Sequence, residues 1–242
     1  MTKSLVALVG GLLLVSSGLS FPTQIPMVGS ELKRGISTAS CGQDIDYTIY
    51  TTGDAEYGPG VYITNLDQGT EGHYFLYENL KDNKPWKHVE VPVGQRVFVA
   101  VCPSWQGRVV RGLPAVNLDG KPHVQGTLFE SALAEDGSIF GDISFLRGCD
   151  GGGSVNATDG SNLHRECFSD LLSGPPEWAL STKDTGTKYL GQIIGDKSNG
   201  AAKDWMLSKC SADHVWINPA NYNPIVKSQN GRLDFVFYKG KA

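Results

Sequence analysis

Three short segments of the 242-residue chain place single carboxylates among apolar or small residues: Thr127-Leu-Phe-Glu-Ser131, Phe140-Gly-Asp-Ile-Ser-Phe-Leu-Arg-Gly148 and Cys167-Phe-Ser-Asp-Leu-Leu172. Glu130, Asp142 and Asp170 are therefore the residues with chemistry to explain. A carboxylate flanked by core-forming neighbours sits near the wall of a folded body, where partial desolvation raises its pKa and a second carboxylate raises it further. This is the raw material of an acid/base or acidic sugar-binding site. Glycoside hydrolysis needs two carboxyls across the scissile bond, one protonated and one ionised, and Glu130 as acid with Asp142 as base is the best pair. Their separation would decide between inverting and retaining chemistry. The plainer reading is that both are solvated acids at strand edges, and Asp170 an ordinary exposed aspartate.

The elements that must position these acids are mostly strands. Val61 and Ile63, Tyr74 and Leu76, Val89 to Val93, and Val97 to Val101 alternate with a period of two and are rich in β-branched and aromatic side chains. Leu233, Phe235 and Phe237 supply a last strand. Glycines punctuate these runs as turns would, and the Gly151 to Gly153 run reads as a loop, since no strand-to-helix context with a lysine follows it. Between Ser161 and Leu172 the spacing becomes helical: Leu163, Cys167 and Leu171 are four apart, with Ser161 or Asn162 available as a cap. That helix would set Asp170 one turn from Cys167. A second helix is expected over Ala201 to Lys209. The fold expected is mainly β, an antiparallel β-sandwich over residues 41–242 with a small helical, loop-rich lobe, preceded by an extended arm at 21–40.

Taken in order, the Thr-Leu-Phe-Glu130 segment, the Asp142-Ile-Ser144 strand and the Cys167-Phe-Ser-Asp170 segment resemble the thaumatin-like family. Lys209-Cys210-Ser-Ala-Asp-His-Val-Trp216 is similar to that family's Cys-Pro-Asp-Ala segment, Asn230-Gly-Arg-Leu-Asp-Phe-Val-Phe237 to its closing strand, and Asp46-Tyr-Thr-Ile-Tyr50 to its opening strand. The resemblance spans most of residues 41–238. It implies a cleft in which Glu130 and Asp142 face each other from neighbouring strands, Asp170 is a third acid, and a β-1,3-glucan-type polysaccharide binds, with weak hydrolysis as the accompanying activity. It also implies a disulfide between Cys167 and Cys210. The chain departs from the family in having only five cysteines, in having Val99 where the family has a cleft arginine, and in having Arg147 where it has a second acid. Arg147 could pair with Asp142 and keep it ionised, as part of the substrate-binding surface. The competing function on the same scaffold is a non-catalytic secreted interaction protein, such as an effector, an allergen-like protein or an inhibitor.

Lys3, the apolar run Leu5 to Leu14 and the small residues Ser16 to Ser20 have the three parts of a secretory signal peptide, with cleavage expected after Ser20. The apolar run is too short to cross a bilayer stably, and no later segment offers a second span. Losing residues 1–20 removes one lysine and no acid, so the formal charge moves from −4 to −5. An acidic chain lacks the basic footprint of a nucleic-acid binder. The partners expected are a β-glucan-like polysaccharide or a host or cell-wall protein, bound by a monomer.

Five cysteines in a secreted chain imply disulfides with at least one thiol left over or paired between molecules, and spacing assigns nothing to Cys41, Cys102 or Cys149. No Cys-x-x-Cys or clustered His/Cys spacing points to a metal, and no cofactor is expected. Sugar binding asks for aromatic platforms. Trp105, in the polar Pro103-Ser-Trp-Gln-Gly107 segment, is expected to be the exposed one. Asn156-Ala-Thr158 is the single glycosylation sequon, expected in a loop.

Overall fold

Most of the alternating runs become strands. The computed structural model describes residues 47–69, 72–217 and 223–240; the expected signal peptide over 1–20, the expected arm over 21–40 and Cys41 lie outside them. In chain order the strands begin with β1 (Ile49–Thr51), β2 (Gly60–Asn65), β3 (His73–Glu78), β4 (Lys87–Glu90), β5 (Arg96–Ala100) and β6 (Gln106–Arg111). They continue with β7 (Leu128–Leu133), β8 (Ile139–Ser144), β9 (Gly151–Ala157), β10 (His164–Cys167), β11 (Leu180–Thr182), β12 (Lys188–Leu190), β13 (Val226–Ser228) and β14 (Arg232–Gly240). One sheet has the order β1-β4-β3-β6-β7-β8-β13, a second β10-β9-β14-β2-β5, and β11 and β12 form a small ribbon. Most pairings are antiparallel. The exceptions are β1/β4 and β2/β14, which pair in parallel and make both large sheets mixed. These partners are far apart in sequence, so no hairpin dictates their direction.

The inner faces of the two large sheets share one core. Phe129 of β7 lies 5.0 Å from Phe235 and 4.4 Å from Phe237 of β14, and Tyr74 of β3 lies 4.4 Å from Phe237, ring centre to ring centre. Burying each such ring stabilises the fold by about 1.5–3 kcal/mol. Glycine makes this approach possible. A Cβ on Gly153 would stand 2.4 Å from the Phe129 ring, and one on Gly141 2.5 Å from Leu233. Gly151 to Gly153 are the first residues of β9 rather than a loop: a Cβ would meet Arg111 at Gly151, the Cys167 carbonyl at Gly152 and the Phe129 ring at Gly153.

The helix expected over 161–172 is absent; β10 occupies the middle of that segment and pairs antiparallel with β9. Turn chemistry explains the difference. Asp159 Oδ1 accepts from Ser161 N at 3.0 Å, Asn162 has φ of 57°, and Ala157 N donates to Leu163 O at 2.8 Å, which closes a hairpin before a helix can start. The second helix forms as expected: a short α1 (Pro114–Asn117) precedes it in the chain, and α2 spans Gly200–Lys209. Asn199 caps α2 by accepting from Ala202 N at 3.0 Å, while Ala202 and Met206, four apart, fill the core. At its end Cys210 is disulfide-bonded to Cys167, with Cα atoms 5.6 Å apart, which ties α2 to the end of β10. Among the described residues no helix is long and apolar enough to cross a membrane.

Candidate functional site

Strand alternation sends Phe129 and Ser131 of β7 inward, and so places Leu128 and Glu130 on the outer face of the seven-stranded sheet. Asp142 of β8 is the direct cross-strand partner of Glu130, and Arg108 of β6 is its direct partner on the other side. Arg108, Glu130 and Asp142 thus form one row across three strands. In the neighbouring row Leu128 pairs with Ser144, and Ser144 with Trp216 through a lone parallel bridge. The connection between β6 and β7, which carries α1, folds back over this face: the Tyr77 hydroxyl donates to Asn117 O at 3.3 Å and accepts from Asn117 Nδ2 at 3.1 Å. Phe75, Tyr77, Val110 and Leu128 are buried as a result.

The two acids share a row but differ in surroundings. Burial, and after it the negative charge of Glu130, push the Asp142 carboxyl well above the usual carboxylate range. Burial also raises Glu130, but the Ser144 hydroxyl and the charges of Arg108 and Arg147 pull it back. Asp142 is accordingly the carboxyl that keeps a proton, and Glu130 the one that ionises first. Three enclosed polar atoms on this face have no hydrogen-bond partner: Asp142 Oδ1, Ser144 Oγ and Arg108 Nε. The approach of Ser144 to Glu130 is therefore electrostatic rather than a well-formed hydrogen bond. The Arg108 guanidinium is engaged at its other end by the Asp82 carboxylate.

Arg147 is exposed and acts on Glu130; no ion pair joins it to Asp142 among the described residues, so it does not hold Asp142 ionised. Asp170 lies in the turn after β10 rather than on a helix, and its carboxylate pairs with Lys239 of β14 at 3.0 Å. It is not among the charges acting on either acid of the row. Trp105 is completely buried, which corrects its expected role as an exposed platform. A turn closed by Trp105 N donating to Cys102 O at 3.0 Å swings the ring inward, where Nε1 donates to Ser131 Oγ at 2.9 Å and the indole sits 5.7 Å from Trp86. Asn156 is on β9, not in a loop, and its amide donates to Ser154 Oγ at 3.0 Å and Asp234 O at 3.4 Å. Cys102 is disulfide-bonded, and Cys149 is a buried free thiol pushed up to about 12 by its burial.

Arg108 and Ser144 are the members of the site that residue-type reasoning did not single out. The signal for Arg108 was present: in Gln106-Gly-Arg-Val-Val-Arg111 the arginine alternates with core-facing Val109, but the preceding proline and glycine make the segment read as a loop. Away from this row, a concavity of about 500 Å3 lined by Tyr47, Asn83, Lys84, Pro85 and Leu118 contains neither acid. Among the described residues no group of three or more His, Cys, Asp or Glu side chains is arranged to hold a metal. No family model matches the chain, and no curated protein matches it.

Proposed function

We propose that this is a secreted protein of thaumatin-like β-sandwich type that binds a β-1,3-glucan-like polysaccharide over the Arg108–Glu130–Asp142 row. The observation that carries the reading is the direct opposition of Glu130 and Asp142 on neighbouring strands. Direct opposition holds the Cβ atoms about 4.5–5.5 Å apart, close enough for both carboxyls to meet one ligand. The roles assigned from sequence are reversed in this proposal. Asp142, enclosed and without a cation, is the proton-bearing acid; Glu130, beside Arg108 and Arg147, is the ionised partner.

A second reading has an observation of its own. Asp142 Oδ1 is shut away from solvent, and Asp170 is occupied by Lys239. A site with its acid enclosed and its third carboxylate elsewhere favours holding a sugar over cutting it. The deciding experiment is a pull-down on insoluble β-1,3-glucan followed by a reducing-sugar assay, with wild type and Glu130→Gln side by side. Binding that weakens in the variant, with little or no sugar release by either, supports a lectin-like function. Sugar release lost in the variant supports hydrolysis. Failure of wild type to bind would sink the polysaccharide reading and leave a protein-interaction role.

A further inference from the structure

Away from the acidic row, the imidazole of His123 is buried between two carboxylates. Its Nε2 lies 2.8 Å from Asp119 Oδ1 and its Nδ1 2.8 Å from Asp184 Oδ2. Asp119 and His123 belong to the β6–β7 connection, four residues apart, whereas Asp184 stands in the turn between β11 and β12, 61 residues further along the chain. An ionised carboxylate only accepts hydrogen bonds, and a neutral imidazole has a single N–H to give. Both contacts are therefore made together only when the ring carries two protons. Asp119 is suited to its part: the bond from His123, and after it the one from the Lys121 amide, hold its carboxyl below the usual carboxylate range.

The other charges near the ring have carboxylates of their own or act on the same two acids. Lys121 reaches Asp119 Oδ2 at 3.4 Å. In the β11–β12 ribbon, Lys183 is held by Asp150 at 2.8 Å, and Tyr189 feels the charge of Asp184. From β6, Arg111 is paired with Asp67 at 3.3 Å and donates to the carbonyls of Asp150 and Tyr238. One contact that needs no added proton runs beside the ring: Gln125 Oε1 accepts from Asp184 N at 2.8 Å, and Gln125 Nε2 donates to Asp184 Oδ1 at 3.3 Å.

The geometry points to a proton-gated clip, in which His123 as imidazolium fastens the β6–β7 connection to the β11–β12 turn and lets the turn go when it becomes neutral. The closed form holds a proton that the open form does not need, so the clip is made in acid and lost as the pH rises. The Asp184 arm is the one given up. Asp119 is local to the ring, while Asp184 has the more exposed side chain, 43% against 29%, so water takes over its hydrogen bond. Of the side-chain bonds from the connection to Asp184, those of Gln125 then remain. Leu118 and Gly120, on either side of Asp119, line the concavity that also contains Tyr47 and Pro85. The clip thereby sets how firmly one wall of that concavity is held.

The test is NMR of the full-length, nitrogen-15-labelled protein between about pH 5 and about pH 9, either side of the ordinary histidine range, with the His123 ring assigned by through-bond correlations. Both ring nitrogens should carry protons at the acid end and one at the alkaline end, and the backbone amides of residues 183–187 should shift along the same curve. In Asp184→Asn the ring should still titrate while those amides stop following it. A double-mutant cycle of His123→Gln and Asp184→Asn, read by urea unfolding, should give a coupling of about fivefold in the unfolding equilibrium constant at the acid end and none at the alkaline end. A ring with a single N–H across the whole range, or equal coupling at both ends, overturns the inference. If His123→Gln fails to fold, the spectra of wild type and Asp184→Asn decide: amides of 183–187 that ignore the ring in wild type, or still follow it in Asp184→Asn, overturn it.

Discussion

Arg108 stands directly opposite Glu130 across β6 and β7, while the opposite side of Glu130 is taken by Asp142. One carboxyl of the pair therefore has a cation at its shoulder and the other does not. Replacing Arg108 by Met removes that cation and frees Asp82, its ion-pair partner. The Glu130 pKa should rise in this variant, readable by carbon NMR of labelled glutamate. Loss of stability should stay near 1–3 kcal/mol, because Asp82 is partly exposed and water recovers much of what the pair provided.

Stability should depend on pH in two windows of opposite sign. A carboxyl raised in the folded state binds its proton more tightly there than in the unfolded chain, so its contribution is full below the unfolded pKa and is lost as pH rises through the folded value. Asp142 and Glu130 are of this kind and titrate as a pair. Asp136 and Asp159 are of the other kind, both held at about 2, the first by Ser138 and the second by the backbone of Gln229. Their contribution is present above the usual carboxylate range and fades as pH falls toward 2. Urea unfolding from pH 2 to 9 should show stability climbing out of acid and then declining above the ordinary carboxylate range. In Asp142→Asn the decline should flatten and the climb remain.

How much of this was legible in the sequence follows from the range of the forces involved. Glu130 and Asp142 could be read because each stands alone among residues that must enter the core, and alternation alone puts them on a strand face. Their facing each other across the short β7–β8 hairpin was given only as what the thaumatin-like resemblance implies, and the arrival of Arg108 could not be read, since it is brought beside Glu130 across the long β6–β7 connection. The lost helix at 161–172 shows local turn chemistry overruling a four-residue spacing: Asp159 and the left-handed Asn162 turn the chain into a hairpin that β9 completes. Trp105 misled for a related reason. Its polar neighbours describe the turn it sits in, while the ring follows the Ser131 acceptor into the core.

Trp105 should behave as a structural residue with no effect on sugar selectivity. Trp105→Ala removes a fully buried indole and is expected to cost about 3–5 kcal/mol. Trp105→Phe keeps much of the volume but leaves the Ser131 hydroxyl without its donor, so it should cost less than the alanine variant, and Trp105→Phe with Ser131→Ala should recover part of that loss. Chemical denaturation of the three variants measures this. A change in ligand preference in a folded Trp105 variant would contradict the assignment.

The two kinds of cysteine should separate under thiol chemistry. Cys167 and Cys210, separated by 43 residues, clamp the end of α2 to the end of β10, so their bond removes the freedom of a long loop from the unfolded chain. Loop-closure entropy puts its contribution at about 4 kcal/mol, and the Cys167→Ala, Cys210→Ala double variant should lose stability on that scale, with a melting point lower by about 8–16 °C. Cys149 is reached by neither water nor reagent in the native state, and burial holds its thiol protonated up to about 12. A thiol reagent at pH 8 should leave Cys149 unmodified in the native protein and label it once denaturant is added, with the labelled peptide identified by mass spectrometry. In the double variant under mild denaturant the same label should appear at lower denaturant concentration, because the opening that exposes Cys149 becomes more frequent as the clamp is lost. Rapid labelling of Cys149 in the native wild type would contradict its place in the core.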